Sequence, residues 1–212
     1  MTGMLGNGFL VSFQIFALTL LGSLPLGMLV AFARMSRFKP LALLARFYIS
    51  IMRGTPLMLQ MFAIYFAPYY VFGINLTTDS KWQATIVAFI VNYAAYFAEI
   101  YRSGIQSIPR GQYEAAEVLG YSGAQTFCRI VLPQVVKRIL PSITNEVITL
   151  VKDTSLAFSI GVIEMFSVAK QLVASQVSMM PFAIAAAFYW VFNLLIDMLA
   201  GRLERRLDYY HD

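Results

Sequence analysis

The sequence predicts an all-α integral membrane fold, with five transmembrane helices and one short cytoplasmic helix between the third and the fourth. Three observations carry this prediction. Hydrophobic residues make up 59% of the 212-residue chain and charged residues only 13%, against roughly 25% charged in an ordinary soluble domain. The apolar residues gather into five segments, each measured against the roughly 20 residues a helix needs to cross a bilayer. Lys and Arg gather on alternate connections between the segments, as cytoplasmic flanks do.

The first segment, 9–33, is apolar apart from Gln14 and small polar residues, with Gly22, Pro25 and Gly27 placed to bend it. No basic residue precedes it, and it is too long for the apolar part of a cleaved leader, so it is expected to be retained. The second, 41–72, is interrupted by Arg53-Gly54-Thr55-Pro56; the third is 82–101, the fourth 139–166 and the fifth 181–199. Together they form one domain over residues 1–212. Tyr69, Tyr70, Trp82 and Tyr101 fall near span ends, where aromatic belts form.

Orientation follows from the cations. Arg34, Arg37, Lys39 and Arg46 follow the first span, Arg102, Arg110, Arg129, Lys137 and Arg138 lie between the third and fourth, and Arg202, Arg205 and Arg206 follow the fifth. The opposite loops hold Lys81 and Lys170 alone. The N-terminus is therefore expected outside and the C-terminus in the cytoplasm. The same distribution explains the net charge of +5 as topology plus attraction to anionic lipid, so nucleic acid is not an expected partner. A single Cys, Cys128, excludes an internal disulfide, and a single His, His211, leaves no histidine metal or acid–base site. No catalytic residue, resident metal or cofactor is expected.

Between the third and fourth spans, residues 107–133 are polar yet keep helical order. Ser107 is placed to cap and Pro109 to open a helix over roughly 110–119, and Gly120 supplies a left-handed stop. Tyr113, Ala116 and Leu119 or Gly120 share one face, while Gln112, Glu114 and Glu117 stay polar. A helix of about two to three turns is marginal alone, so it needs a partner. Ala115, Ala116 and Gly120 are small enough to let another protein approach the backbone closely.

Polar groups within the spans mark a second candidate site, because charge in hydrocarbon turns toward a cavity or a partner. Asn92, Tyr96 and Glu99 share one face of the third span, and Glu146, Thr149 and Asp153 form a stripe on the fourth. Lys152 is rotated about 100° from Asp153 by the helical repeat. Arg53 and Thr55 flank Pro56, whose missing N–H is expected to free backbone carbonyls for a polar solute. A small zwitterion matches this set, its ammonium against Glu99 or Asp153 and its carboxylate against Arg53 or Lys152. The structural alternative pairs Lys152 with a neighbouring carboxylate and lets Arg53 snorkel to the interface. Asn193 and Asp197 on the fifth span read as interfacial structure, and Met52, Met58, Met61 and Phe62 as packing.

Glu114-Ala115-Ala116, three residues, Gly120, nine residues, Ile130, one residue and Leu132-Pro133 resemble the EAA loop of ABC importer permeases. Arg53-Gly54-Thr55-Pro56-Leu57, Ala95-Tyr96-Phe97-Ala98-Glu99-Ile100-Tyr101-Arg102, Ile108-Pro109-Arg110-Gly111-Gln112 and Lys152-Asp153-Thr154-Ser155-Leu156 resemble the signature blocks of the polar amino acid branch, the histidine, glutamine and arginine permeases. The resemblance implies a type I importer transmembrane domain that pairs with a second permease, identical or homologous. It implies an ATP-binding cassette ATPase dimer docked at Tyr113, Glu114, Ala115, Ala116 and Gly120, and an extracytoplasmic solute-binding protein, in a bacterial inner membrane. By the same resemblance, residues near Glu99 and Asp153, Ser155 included, line the amino acid pathway. No GxxxxGK[ST] phosphate loop is present, which places ATP and Mg in the partner subunit. Without that partner, the intramembrane carboxylates would suit a small oligomeric channel or an ion-coupled secondary transporter.

Overall fold

The computed structural model describes residues 2–207, which are helical nearly throughout and contain no strand. His211 lies outside the described residues. α1 (Thr2–Arg34) runs unbroken through Pro25. The glycines expected to bend it serve close packing instead. A Cβ on Gly27 would lie 2.9 Å from Phe97 Cβ and 3.0 Å from the Ala94 carbonyl oxygen of α4 (Thr78–Gln106), and one on Gly22 would lie 2.5 Å from Ile90 Cδ1. α1 and α4 thus lie backbone against backbone and form the most extensive helix pair among the described residues.

The second apolar segment is two helices, α2 (Lys39–Gly54) and α3 (Leu57–Phe72), separated at Thr55 and Pro56. Both residues are extended there, and extended backbone is the conformation favoured before and at proline. α4 is followed by α5 (Arg110–Val118), the short α6 (Gly123–Thr126), a π-helical turn at Phe127–Val131, and α7 (Leu132–Asp153).

The fourth apolar segment, 139–166, is not one rod. α7 tightens into a 3-10 turn at Thr154–Ile160, Gly161 takes a left-handed φ of 81°, and α8 (Met165–Gln176) departs at 62°. Glu164 starts this new helix. Its carboxylate accepts from the Phe166 and Ser167 N–H groups at 2.7 and 2.8 Å and from Ser12 Oγ of α1 at 3.3 Å, and the residue is 0% exposed. A buried acid satisfied as a helix cap cannot also continue the preceding helix. α9 (Met180–Leu207) packs its Phe192 edge-on against Phe9 and Phe16, with most of its surface outside the protein core.

α1, α4 from Asp79 and α9 are each long and apolar enough to cross a bilayer alone; the bent run from α6 through α8 qualifies as a further span, and α3 is apolar but shorter. The buried centre is built from α4, whose Phe89, Tyr93 and Phe97 are almost wholly enclosed. α2, α3 and α7 surround its other faces, so a polar group where they meet α4 sits deep in the bundle.

Candidate functional site

Where the α2–α3 break faces α4 and α7 there is a cavity of about 310 Å³. The break contributes Thr55 and Pro56, α4 contributes Asn92, Tyr93 and Tyr96, and α7 contributes Glu146, Thr149 and Asp153. The Tyr93 hydroxyl donates to Asp153 Oδ2 at 2.7 Å. Arg53 stands at the rim, its guanidinium carbon 5.4 Å from the centroid of the Tyr96 ring. Among the described residues the ion pairs within 4.0 Å all involve Glu99, so Glu146 and Asp153 have no such partner. The cavity therefore offers two carboxylates, hydroxyl and amide groups, and an adjacent guanidinium held over an aromatic face.

Thr55, Asn92, Tyr96 and Asp153 are thus brought together as the sequence predicts, with Arg53 beside them. Glu99 is not part of this group. Three residues beyond Tyr96 on α4, it accepts from Arg102 Nε at 3.0 Å and Nη2 at 2.5 Å, and Arg34 Nε of α1 lies 3.8 Å away. Its charge is balanced by cations, which removes the reason for a solute to do so. Lys152 is exposed on α7 and has no carboxylate of the described residues within ion-pair distance. Ser155 Oγ donates back to the Lys152 carbonyl at 2.8 Å and so closes the helix end.

The expectation of free carbonyls at the break is corrected for Met52. Pro56 lacks the N–H that Met52 would otherwise bind, but Gln60 Nε2 and Asn92 Nδ2 each reach the Met52 carbonyl at 3.0 Å. Gln60 and Tyr93 escape the sequence reading. Each lies inside an apolar run, and only its tertiary partner distinguishes it from packing. Glu146 and Thr149 are visible in the helical stripe with Asp153, but the sequence does not show which way the stripe faces.

The second site is α5. Ser107 does not cap it; it ends α4, its Oγ donating to the Gly104 carbonyl at 2.7 Å, and Pro109 occupies the cap position of α5 with no side-chain hydrogen bond. Gly120 has φ of 76°, and Gly120 N and Tyr121 N donate to the Glu117 and Ala116 carbonyls at 2.9 and 3.0 Å. That hydrogen-bond pattern is a left-handed helix stop. Ala116 is only 1% exposed, so the close approach its small side chain permits is to this chain's own body. Glu114, Ala115, Glu117 and Gly120 are exposed, Tyr113 is borderline, and Val118 and Leu119 stand out at 87% and 73%.

Side-chain hydrogen bonds link α7 to α5 and to the end of α4. Arg138 Nη1 of α7 donates to the Ser107 carbonyl at 2.6 Å, and Gln134 Nε2 reaches Gln112 Oε1 at 3.3 Å. α5 is thus a nine-residue helix that turns Val118 outward and is joined to α7 through Gln134.

A family model described as the binding-protein-dependent transport system inner membrane component matches residues 23–209. The chain belongs to that family. It is 36% identical over 209 residues to the L-cystine transport system permease protein TcyB of Bacillus subtilis (strain 168), covering 97% of this chain and 87% of the relative. It is also 36% identical over 203 residues to the putative glutamine transport system permease protein GlnP of Rickettsia conorii, covering 95% and 91%. A crystal structure of an amino acid ABC transporter with histidines superposes with a TM-score of 0.87 at 33% identity, covering 97% of this chain and 94% of that one. The MetNI methionine ABC transporter, at TM-score 0.73 and 18% identity, shares the fold. The chain is accordingly an all-helical, membrane-spanning permease subunit of an ABC importer, in a family whose members work with ATPase and solute-binding partners.

Proposed function

We propose that this permease moves polar or charged amino acids inward through the cavity between the α2–α3 break, α4 and α7. The observation that carries the reading is the pairing of unbalanced Asp153 and Glu146 with Arg53 around one cavity of about 310 Å³. An α-ammonium and an α-carboxylate find opposite charges there, in a setting where charge is costly unless compensated. The relatives named for cystine, glutamine and arginine share an amino acid backbone and differ in side chain. That agrees with a site built to hold the common zwitterion.

A second permease, identical or homologous, completes the pathway. Asn145 and Lys152 lie seven residues apart along α7 and are exposed on the single subunit. Such a polar row is costly against hydrocarbon and is accommodated when it faces a shared aqueous path. α5 is the docking element for an ATPase dimer, through Tyr113, Glu114, Ala115 and Gly120 together with Val118 and Leu119. ATP and Mg belong to that dimer. The basic ends of α1, α2, α4 and α7 then lie in the cytoplasm, with the N-terminus outside and the C-terminus inside. Closure of the ATPases pushes α5, and because Gln134 ties α5 to α7 and Arg138 ties α7 to the Ser107 end of α4, α4 and α7 tilt with it.

The experiment is ATP-driven uptake by the complete complex in proteoliposomes, offered L-arginine, L-glutamine and L-cystine with the solute-binding protein. Asp153→Asn is expected to raise the half-saturating concentration of the accepted amino acid about tenfold while the complex assembles normally. Uptake of none of the three, or loss of assembly with unchanged transport per complex, overturns the reading.

A further inference from the structure

The α2–α3 break is held in shape by two side-chain amides. Met52 is four residues before Pro56, so its carbonyl has no helical donor. A bare carbonyl this deep in a membrane protein is costly. Asn92 Nδ2 donates to the Met52 carbonyl and to Gln60 Oε1, each at 3.0 Å. Gln60 Nε2 in turn reaches the Met52 carbonyl at 3.0 Å, the Thr55 carbonyl at 3.1 Å and Thr55 Oγ1 at 2.8 Å. Thr55 Oγ1 spends its own proton on the Ile51 carbonyl at 2.8 Å, so it can only accept from Gln60. Both amides are buried.

This network fixes which way each amide faces. The Met52 carbonyl only accepts, so both NH₂ groups must turn toward it, and Gln60 Oε1 must be the atom that receives Asn92. Asn92 then has both protons committed. Its Oδ1 takes part in none of these bonds, and Asn92 lines the cavity.

We propose that Gln60 and Asn92 are positioning residues for transport: by binding the carbonyl that Pro56 leaves open, they hold Arg53 and Thr55 at the cavity and leave Asn92 Oδ1 as an acceptor for a donor group of the solute. The transport consequence rests on the amino acid reading above, whereas the shape of the break does not. Gln60 touches no solute in this scheme. It acts through Thr55, Asn92 and the backbone on either side of Pro56.

The test has two arms, both on the complete complex. In a Cys128→Ser background, which removes the single cysteine, Gly54→Cys carries a nitroxide spin label at a position where an added Cβ meets nothing within 4 Å. Gln60→Met keeps the side-chain length and removes every hydrogen bond. It is expected to sharpen the label's spectrum, reporting a mobile break, and to raise the half-saturating concentration for uptake of L-arginine, L-glutamine or L-cystine about tenfold with the maximal rate within twofold. Replacing Pro56 by Ala supplies a backbone N–H and lifts the bar on a helical Thr55, so that α2 can continue and close on the Met52 carbonyl; Gln60→Met added to Pro56→Ala is then expected to leave the spectrum of Pro56→Ala unchanged.

An unchanged spectrum on Gln60→Met overturns the proposal. So does a fall in maximal rate and complex yield with no shift in half-saturation, or equal mobilisation with and without Pro56. If the unmutated complex carries none of the three amino acids, the substrate reading fails and the spectra alone decide the role of Gln60.

Discussion

Tyr93 donates its hydroxyl proton to Asp153 at 2.7 Å from within the enclosed core of α4, where it is 2% exposed. The bond joins the centre of the bundle to the end of α7, at the point where α7 tightens into its 3-10 turn. It also assigns one carboxylate oxygen to the protein and leaves the rest of the group to face the cavity. Removing the hydroxyl frees Asp153 to change rotamer. A hydrogen bond to a charged group contributes about 1.5–3 kcal/mol, so Tyr93→Phe is expected to weaken solute binding roughly tenfold or more. Uptake kinetics check this: half-saturation rises, with assembly intact because the ring still fills its place between Phe89 and Phe97.

Glu99 predicts the opposite pattern. It binds Arg102 through two nitrogens and draws Arg34 of α1 to 3.8 Å, on the basic side of the bundle. Glu99→Gln leaves Arg102 and Arg34, both partly buried, without their counter-charge. Because these groups keep some solvent contact, the expected cost is modest, on the order of 1 kcal/mol. The thermal midpoint of the purified complex should fall by a few degrees, roughly as that cost implies for a chain of this size. Half-saturation for uptake should stay within twofold. A large affinity loss without destabilisation would return Glu99 to the pathway.

These two carboxylates show what was legible in the sequence and what was not. The rule that an intramembrane acid serves a function selects Glu99 and Asp153 alike. What separates them is the partner, and Arg34 arrives from a helix distant in sequence. The break at Pro56 could be read locally because proline's missing N–H is a local fact. The fate of the Met52 carbonyl could not, since its donors come from α3 and α4. Likewise Gly120 announced the end of α5, but the burial of Ala116 depends on how α5 lies against its own chain. The bend between α7 and α8 was hidden because Gly161 and Glu164 are both compatible with a continued apolar segment until Ser12 of α1 is seen to hold the carboxylate.

At α5, Gly120 combines a positive φ of 76° with open space around its Cα. Gly120→Ala is therefore opposed by the backbone alone, at about 1 kcal/mol, and should reduce uptake only slightly. Gly120→Asp adds a charge on the proposed docking side next to Val118 and Leu119. It should abolish ATP-driven uptake and co-purification of the ATPase while membrane insertion stays normal, measured by pull-down from mild detergent. Normal uptake by Gly120→Asp would remove α5 from the docking role.

The proposed transmission step would run where α4 and α7 approach closely beside the α5 loop. An added Cβ at Gly104 would sit 2.1 Å from Ile139 Cγ2 and 3.3 Å from Val135 Cγ1. Gly104→Ala thus forces the two helices apart, or Ile139 into a poorer rotamer, and overpacking of this kind costs about 1–3 kcal/mol. Arg138 lies one residue before Ile139, so its bond to the Ser107 carbonyl at 2.6 Å should lengthen when the helices separate. Gly104→Ala is therefore expected to lower the thermal midpoint and to uncouple ATP hydrolysis from uptake, giving fewer solutes moved per ATP. Ile139→Ala removes the Cγ2 branch that the added Cβ meets and leaves Ile139's own Cβ at an ordinary 3.7 Å. Combined with Gly104→Ala it should recover the close approach of the helices and with it much of the transport ratio, because the clash is with that one branch methyl. If the double variant recovers the close approach without recovering the transport ratio, close packing of α4 on α7 supports the fold but does not carry the motion of α5.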